Sequence, residues 1–385
     1  MSLKVLHLGK YYPPYRGGME SFLADLMHGL EGQGIINVAL VHSASNQGGV
    51  WEGDVPSILR VPSHGRLLYM PLSPEFPIYL ERAIRTFSPD VLHFHLPNPS
   101  AFWALASPAA RRLPWVIHWH ADVLTPESTL PMRIAYQPYR IFETAMLRRA
   151  DAVIASSPTY LQASQPLVPY IDKCEVIPLG IDEGRLPPAS DAATRKADAL
   201  WPEGAAINIL MVGRFTYYKG HRSLLDALAG VPDAAAVLVG AGELHAETKA
   251  YAEQLGLTGR VRFPGGLAED ELAGLFASAD VLCLPALDRA EAFGMVLIEA
   301  MRYEKALIAS NIRGSGVPWV LERCGCGRSA EPGDPESLAA AIRWLIEHPE
   351  QRMEMGRQGA AVYRETFKIE AVAEKVAALY RRVLA

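Results

Sequence analysis

The chain has 385 residues and a formal net charge of −5, with hydrophobic residues at 50% and charged residues at 21%. This length is sufficient for two domains, and this composition excludes a disordered chain. Because the net charge is slightly negative and neither half of the chain is basic, we do not expect nucleic-acid binding.

The amino terminus and the cysteines indicate the compartment. The N-terminal apolar run is too short for a signal peptide, and no segment reaches the ~18 apolar residues of a spanning helix. We therefore expect a cytoplasmic protein. The four cysteines, Cys174, Cys283, Cys324 and Cys326, are too few for a disulfide framework, so we expect reduced thiols. Cys324 and Cys326 lack a second ligand pair at zinc-finger spacing, and we expect no metal there.

The first half of the chain alternates predicted strands and helices. The strands are LKVLHL, INVALVH, DVLHFH, PWVIHWH, DAVIASS and CEVIPLG. Helical patterns begin at about Ser21, Pro77 and Met132. This alternation predicts a parallel sheet covered by helices on both faces, a doubly wound Rossmann-like domain at residues 1–183. A segment rich in proline, alanine and charge follows at 184–204, and we interpret it as a linker.

A second alternating unit follows the linker. Its predicted strands are INILMVG, AAVLVGAG, VRF, VLCLP and ALIAS, and the chain is helical after Asp334. We therefore predict a second Rossmann-like domain at 205–368, which would face the first domain across a cleft.

The stretch from Asp280 to Tyr303 predicts a strand, a loop and a helix. Phe293, Gly294 and Met295 would then carry the first free amides of the helix, which can bind an anion. Glu291 precedes this terminus, and Glu299 lies about two turns into the helix. A carboxylate this close to a phosphate would repel it unless the carboxylate accepts hydrogen bonds from hydroxyl groups of the same ligand. A nucleotide sugar carries hydroxyl groups on both sides of its phosphates.

We therefore expect Glu299 to bind ribose and Glu291 to bind the transferred sugar. The alternative is that Glu291 is a solvated loop residue and that Glu299 lies on an exposed helix face.

Two cations follow the strand INILMVG. Arg214 and Lys219 could neutralise a diphosphate leaving group without a metal, although both could also be ordinary surface cations. The chain contains no Asp-x-Asp pair that would hold a divalent metal at a diphosphate, so we expect neither a metal nor another cofactor. Gly17 and Gly18 open a predicted helix after the first strand and could add a second amide contact, or form only a turn.

Histidine pairs end two predicted strands, in His93-Phe94-His95 and His118-Trp119-His120. Such a pair directs both rings to one face of a strand, as metallohydrolases require, so a metal-dependent hydrolase is a rival interpretation. No carboxylate ligands with matching spacing accompany them. We prefer His120 and Asp122 as polar partners of a sugar or an acceptor, while packed strand-end histidines remain the alternative.

The predicted helix at 132–149 interleaves Arg133, Arg140, Arg148 and Arg149 with aromatic residues. This pattern fits either a peripheral contact with an anionic membrane or an amphipathic helix with a solvated basic face.

Several motifs together resemble a known family. They are Gly17-Gly18-Met19-Glu20, His93-Phe94-His95-Leu96-Pro97, His118-Trp119-His120, Ile177-Pro178-Leu179-Gly180, Gly213-Arg214 with Lys219-Gly220, Gly240-Ala241-Gly242-Glu243, the segment from Glu291 to Glu299, and Glu331-Pro332-Gly333-Asp334-Pro335. With these motifs the chain resembles the retaining nucleotide-sugar glycosyltransferases of family 4, which have the two-domain GT-B fold.

The resemblance implies roles for individual residues. Arg214 and Lys219 would hold the donor diphosphate, and His120 would lie near the sugar. The donor site would also include Gly17, Gly18, Gly240, Gly242, Glu291, Phe293, Gly294, Met295 and Glu299, with Glu20 and Asp122 on the sugar or acceptor side. A last helix at about 369–385 would cross back to the first domain, and the anomeric configuration would be retained.

The segments at 6–14 and 315–320 look most like members that build bacterial O-antigen or exopolysaccharide from GDP-mannose on lipid-linked acceptors. A UDP-sugar donor is the first alternative. A nucleotide-sugar epimerase, a phosphorylase, a metal-dependent hydrolase and a non-catalytic nucleotide-sugar binder are the others.

Overall fold

The computed structural model of the protein describes residues 2–15, 17–46, 48, 49, 51, 52, 57–67, 70–125 and 128–385. Two compact units account for the chain. Residues 1–182 and 369–385 form the first unit, and residues 183–368 form the second. No helix in the described ranges is long and apolar enough to span a bilayer.

The first unit is built on an eight-stranded sheet. Its strands are β1 (Lys4–Leu8), β2 (Ile36–His42), β3 (Trp51–Glu52), β4 (Ser57–Val61), β7 (Val91–Leu96), β8 (Trp115–Trp119), β9 (Ala152–Ala155) and β10 (Cys174–Val176), and the strands β5 (Arg66–Leu67) and β6 (Met70–Pro71) form a separate hairpin. The sheet order is β10-β9-β8-β7-β1-β2-β4-β3. All pairs are parallel except β3 with β4. The central strands are buried on both faces, and their histidines are buried together with the apolar residues.

Among the described residues, these strands are connected by helices α1 (Gly18–Glu31), α2 (Phe76–Phe87), α3 (Leu130–Arg149) and α4 (Pro158–Ala163). Helix α1 begins three residues before the expected start, because Gly17 precedes it in an extended conformation and acts as its N-cap. Strand β4 was not predicted, because it is only five residues long and contains an arginine, so that its apolar pattern is weak.

The second unit contains a six-stranded parallel sheet. Its strands are β11 (Ile207–Val212), β12 (Ala234–Val239), β13 (Val261–Gly265), β14 (Val281–Leu284), β15 (Ala306–Ser310) and β16 (Gly327–Ala330), in the order β13-β12-β11-β14-β15-β16. Its helices are α5 (Asp191–Asp198), α6 (His221–Ala229), α7 (His245–Gln254), α8 (Glu269–Ser278), α9 (Met295–Arg302), α10 (Gly316–Cys324), α11 (Pro335–Glu347) and α12 (Pro349–Val362). Two parallel-sheet α/β units are thus confirmed.

The segment at 184–204, which we expected to be a linker, contains helix α5 and belongs to the second unit. Ala193 and Ala197 are buried, and a Cβ added to Gly274 on α8 would lie 2.4 Å from the carbonyl oxygen of Ala193. Small residues on both helices therefore permit a close contact. A short helix held by alanines lacks the large apolar residues that reveal periodicity in a sequence.

The last helix, α13 (Ile369–Leu384), lies in the first unit. It packs on α1, where a Cβ on Gly29 would lie 3.0 Å from the Cβ of Ala373. Val372, Val376 and Tyr380 are buried at helical spacing. The apolar stripe of α13 therefore packs on the first unit, although residues 183–368 separate this helix from the rest of that unit in sequence.

The expectation of reduced thiols is wrong for one cysteine pair. Cys324 and Cys326 form a disulfide with their Cα atoms 5.0 Å apart, while Cys174 and Cys283 are free. Gly325, at a φ of 57°, ends α10 and reverses the chain so that the two side chains meet.

Candidate active site

The candidate site of the second unit lies at the carboxyl edge of its sheet. Strands β11 and β14 are parallel neighbours, so the loops that follow them emerge side by side. The loop after β11 carries Lys219, and the loop after β14 carries Glu291. Lys219 Nζ donates to Glu291 Oε2 at 2.5 Å, and the two side chains are only 14% and 10% exposed. The structure thus joins two residues that are 72 positions apart.

The surroundings of Lys219 favour its charged form. Burial lowers the pKa of the Lys219 ammonium, but the carboxylate of Glu291, the hydroxyl of Tyr218 and the carboxylate of Glu299 raise it, and the net pKa is raised. Lys219 is therefore a cation at neutral pH, held in a mostly desolvated position. A desolvated cation interacts strongly with an anionic ligand that excludes water.

Glu299 has a partner that no sequence pattern predicts. Arg185 Nη2 lies 3.4 Å from Glu299 Oε1, and the side chains are 17% and 15% exposed. Glu299 is therefore not on an exposed helix face. Arg185 lies in the segment that we had interpreted as a linker, and no local pattern distinguishes it from a surface arginine.

The helix after β14 begins later than predicted. Gly294 has a φ of 82° and is the N-cap, and α9 starts at Met295. Phe293 therefore precedes the helix, with its ring buried 6.4 Å from that of Trp319 and 6.1 Å from that of Phe367. The amides that lack an intrahelical acceptor begin at Met295 and continue into α9. The left-handed conformation of Gly294 permits the helix to begin at Met295. The spacing of apolar residues does not reveal such a conformation.

The glycines after β12 allow a close approach of backbone segments. Gly240 has a φ of 144°, and a Cβ there would lie 1.9 Å from the carbonyl oxygen of Gly213. Gly242 has a φ of 159°, and its Cβ would lie 2.4 Å from the carbonyl oxygen of Phe215. Both glycines thus lie in close contact with the backbone of the segment that leads to Lys219. Arg214, within that segment, is exposed to solvent.

In the first unit, Gly17 and Gly18 lie at the start of α1, the helix that their position after β1 predicts. Glu20, in the first turn, is only 7% exposed. Its carboxylate folds back over Gly17, because a Cβ on that glycine would lie 2.1 Å from Glu20 Oε2.

The strand-end histidines belong to a buried cluster, which comprises His7, His93, His95, His118 and His120. Register explains the cluster, because His7 of β1 pairs with His93 of β7 and His95 pairs with His118 of β8. Burial lowers the pKa of His7 to about 4 and that of His120 to about 3. These side chains are therefore neutral at physiological pH.

Two histidine triads could hold a metal by proximity alone: His7 with His93 and His95, and His95 with His118 and His120. His95 is common to both triads. Its Nε2 lies 3.2 Å from His7 Nδ1, and its Nδ1 lies 3.0 Å from His120 Nε2. Both ring nitrogens of His95 thus bond to other imidazoles, and a metal at either triad would have to break one of these bonds.

Asp122 holds the end of β8 in place. Its Oδ1 accepts hydrogen bonds from Trp119 Nε1 at 2.9 Å and from Ser164 Oγ at 2.6 Å, and its own amide donates to the hydroxyl of Tyr160. These bonds position the loop that carries His120.

Helix α3 exposes large apolar residues over much of its length. Leu130, Ile134 and Ile141 are each more than 60% exposed, whereas Met146 and Leu147 near its end are buried. The carboxyl-terminal part of α3 therefore packs on the unit, and much of the rest is exposed to solvent.

Comparison with known proteins identifies the chain. The family "Glycosyl transferases group 1" matches residues 195–362, and the "Glycosyl transferase 4-like domain" matches residues 17–180. The D-rhamnosyltransferase WbpZ of Pseudomonas aeruginosa is 33% identical over 370 residues, which cover 95% of this chain and 92% of that protein. This chain belongs to glycosyltransferase family 4.

A further relative of this family 4 glycosyltransferase is the O-antigen chain mannosyltransferase C of Escherichia coli, 29% identical over 99% of both chains. Among solved structures, sucrose-phosphate synthase from Thermosynechococcus elongatus has a TM-score of 0.81 at 22% identity, covering 99% of both chains. Anabaena HepE in complex with UDP has a TM-score of 0.75 at 23% identity, covering 99% of this chain and all of the other. The GT-B fold expected for this glycosyltransferase is confirmed.

Proposed function

We propose that this enzyme transfers a hexose from GDP-mannose or a closely related GDP-sugar to a lipid-linked or oligosaccharide acceptor, with retention of the anomeric configuration. The proposed setting is the synthesis of bacterial O-antigen or exopolysaccharide. The names of two relatives support this setting, since one is a D-rhamnosyltransferase and the other an O-antigen chain mannosyltransferase.

The observation that carries the proposal is the contact of Lys219 with Glu291 beside Glu299. An ammonium has three donor positions, so Lys219 can keep its bond to Glu291 while it binds a phosphate oxygen. The same contact would place the diphosphate next to Glu291, which is then available for hydroxyls of the transferred sugar. Glu299, held by Arg185, would accept hydrogen bonds from the ribose.

The proposed chemistry follows from these charges. Lys219 and Arg214 would stabilise the negative charge that develops on the leaving diphosphate. A phosphate oxygen on that face could then accept the acceptor's proton, and the new bond would form on the face from which the diphosphate leaves. We therefore assign Glu291 to hydroxyl binding rather than to a covalent intermediate, and we propose that no metal is required.

We also propose a peripheral membrane contact through α3. The exposed Leu130, Ile134 and Ile141 would enter the headgroup region, and Arg133 and Arg140 would attract anionic lipids. A lipid-linked acceptor would reach the enzyme at such a surface.

The test is a thermal-shift comparison of GDP, UDP, ADP and dTDP, each with and without EDTA. A ligand at 100 times its Kd stabilises the folded state by about 2.7 kcal/mol. We expect a GDP-selective shift that EDTA does not change, and retention of configuration in the NMR spectrum of the product. A UDP-selective shift would replace the GDP-sugar with a UDP-sugar donor. A large EDTA effect without any nucleotide shift would contradict the proposal.

A further inference from the structure

Three of the buried histidines form a chain of hydrogen bonds that begins at a buried asparagine. Asn37 Oδ1 lies 3.2 Å from His7 Nε2, His7 Nδ1 lies 3.2 Å from His95 Nε2, and His95 Nδ1 lies 3.0 Å from His120 Nε2. Asn37, His7 and His95 are at most 1% exposed, and His120 is 8% exposed. The chain thus runs from β2 through β1 and β7 to the residue that directly follows β8.

The asparagine sets the direction of this chain. Asn37 Nδ2 donates to the backbone carbonyls of Met27 at 3.0 Å and Ile35 at 3.2 Å. The opposite amide orientation would place Oδ1 against two carbonyl oxygens. Asn37 Oδ1 must therefore face His7 as an acceptor.

The tautomer of each imidazole then follows from the one before it. His7 Nε2 carries the hydrogen that Asn37 accepts, so the Nδ1 of the neutral ring is an acceptor. His95 must donate to it from Nε2, which leaves His95 Nδ1 as an acceptor. His120 must in turn donate from Nε2. The ring nitrogen of His120 that the chain does not use is therefore an unprotonated Nδ1.

We propose that Asn37, through His7 and His95, fixes His120 as a neutral hydrogen-bond acceptor at Nδ1, which would accept from a hydroxyl group of a bound sugar. The proposal rests on the proposed function only for the identity of that hydroxyl ligand. Asn37 is a positioning residue in this scheme, since it acts through two other side chains and does not touch the substrate.

The geometry favours this chain over a metal site. His118 completes one triad but takes no part in this chain: among the described residues neither of its buried ring nitrogens has a hydrogen-bond partner, and its ring is stacked 4.6 Å from that of His120. Binding a metal at this triad would require His95 to release either His7 or His120. Asn37 belongs to neither triad, so its substitution distinguishes the two arrangements.

Two substitutions of Asn37 are matched for the test. Asn37→Leu and Asn37→Asp both remove the amide NH₂ group that donates to Met27 and Ile35. Only Asn37→Asp keeps an acceptor for His7 Nε2, because the carbonyl oxygens of Met27 and Ile35 favour the protonated aspartic acid, whose hydroxyl can donate to one of them. His118→Phe is the control, since it removes a neighbouring buried imidazole that takes no part in the chain.

The measurement is the ¹⁵N NMR spectrum of histidine-labelled full-length protein near neutral pH, with the His120 signals assigned by their loss in His120→Asn. We expect wild type, Asn37→Asp and His118→Phe to show His120 protonated at Nε2. In Asn37→Leu the shifts of His7, His95 and His120 should move together, because loss of one net hydrogen bond changes the tautomer ratio about 2- to 12-fold. The kcat should fall by no more than that factor, with unchanged GDP affinity.

Three outcomes would overturn the proposal. The first is a wild-type His120 protonated at Nδ1, which can be read even if Asn37→Leu does not fold. The second is a set of unchanged shifts in a folded Asn37→Leu protein. The third is a stoichiometric metal, bound by wild type and lost in His118→Phe. The absence of GDP binding with the expected tautomers intact would contradict the proposed function and leave the chain of hydrogen bonds standing.

Discussion

Substitution of Lys219 by methionine should affect stability and catalysis separately. Lys219 and Glu291 form an ion pair at 2.5 Å with side chains 14% and 10% exposed, so water compensates poorly for the loss of one partner. Removing one member of such a buried pair costs about 3–5 kcal/mol, and we take the lower end because both side chains retain some exposure. In a unit the size of residues 183–368, about 3 kcal/mol corresponds to a fall in Tm of roughly 6–12 °C.

The double variant Lys219→Met/Glu291→Leu distinguishes the two roles. Replacing both charges with apolar groups should restore most of the stability, because no unpaired carboxylate remains buried. Activity should stay lost, because the double variant lacks both the cation that would neutralise the leaving diphosphate and the carboxylate proposed to bind the transferred sugar. The assay combines denaturant unfolding with sugar transfer from GDP-mannose. A double variant that recovered transfer would refute the role of Lys219 at the diphosphate, and a fully stable Lys219→Met would refute the ion pair.

Three other predictions concern the buried histidines, the start of α9 and the surface of α3. Burial lowers the pKa of His7 and of His42 to about 4 in the folded protein, whereas an unfolded histidine takes up a proton near pH 6.5. Each such histidine therefore contributes stability that is complete above pH 6.5. This contribution is lost as the pH falls towards 4, by up to about 1.4 kcal/mol per pH unit. Urea unfolding at a series of pH values should show this loss with a smaller slope in His93→Phe, and a flat profile would contradict it. Gly294→Ala should lower the free energy of unfolding by about 1–2 kcal/mol, because the φ of Gly294 is 82°, and it should weaken GDP binding. The control is Gly259→Ala, since a Cβ at Gly259 meets open space. Unfolding and GDP titration experiments should show no change in this control. The pair Ile134→Glu and Ile141→Glu should reduce sedimentation with phosphatidylglycerol vesicles while GDP affinity is unchanged, and equal sedimentation would remove α3 as the membrane contact.

The donor-site loops show which structural features local sequence patterns can predict. The strand, loop and helix around Glu291 could be predicted from apolar spacing, and parallel strands bring the ends of β11 and β14 to one edge. The first helical residue could not be predicted, because it depends on the left-handed conformation of Gly294. Arg185 was missed for a different reason, since its pairing with Glu299 spans 114 positions and depends on how the segment before β11 packs.

The sequence by itself determined the alternation of strands and helices, the two-unit organisation and the family, because apolar periodicity and short motifs are properties of neighbouring residues. Only the tertiary structure decided which distant groups meet. The register of β1, β7 and β8 brings His7, His95 and His120 into one line of hydrogen bonds, and the amide of Asn37 gives that line its direction. The periodicity of one strand gives the face to which each of its side chains points, but which residues of distant strands lie side by side depends on the packing of the whole sheet.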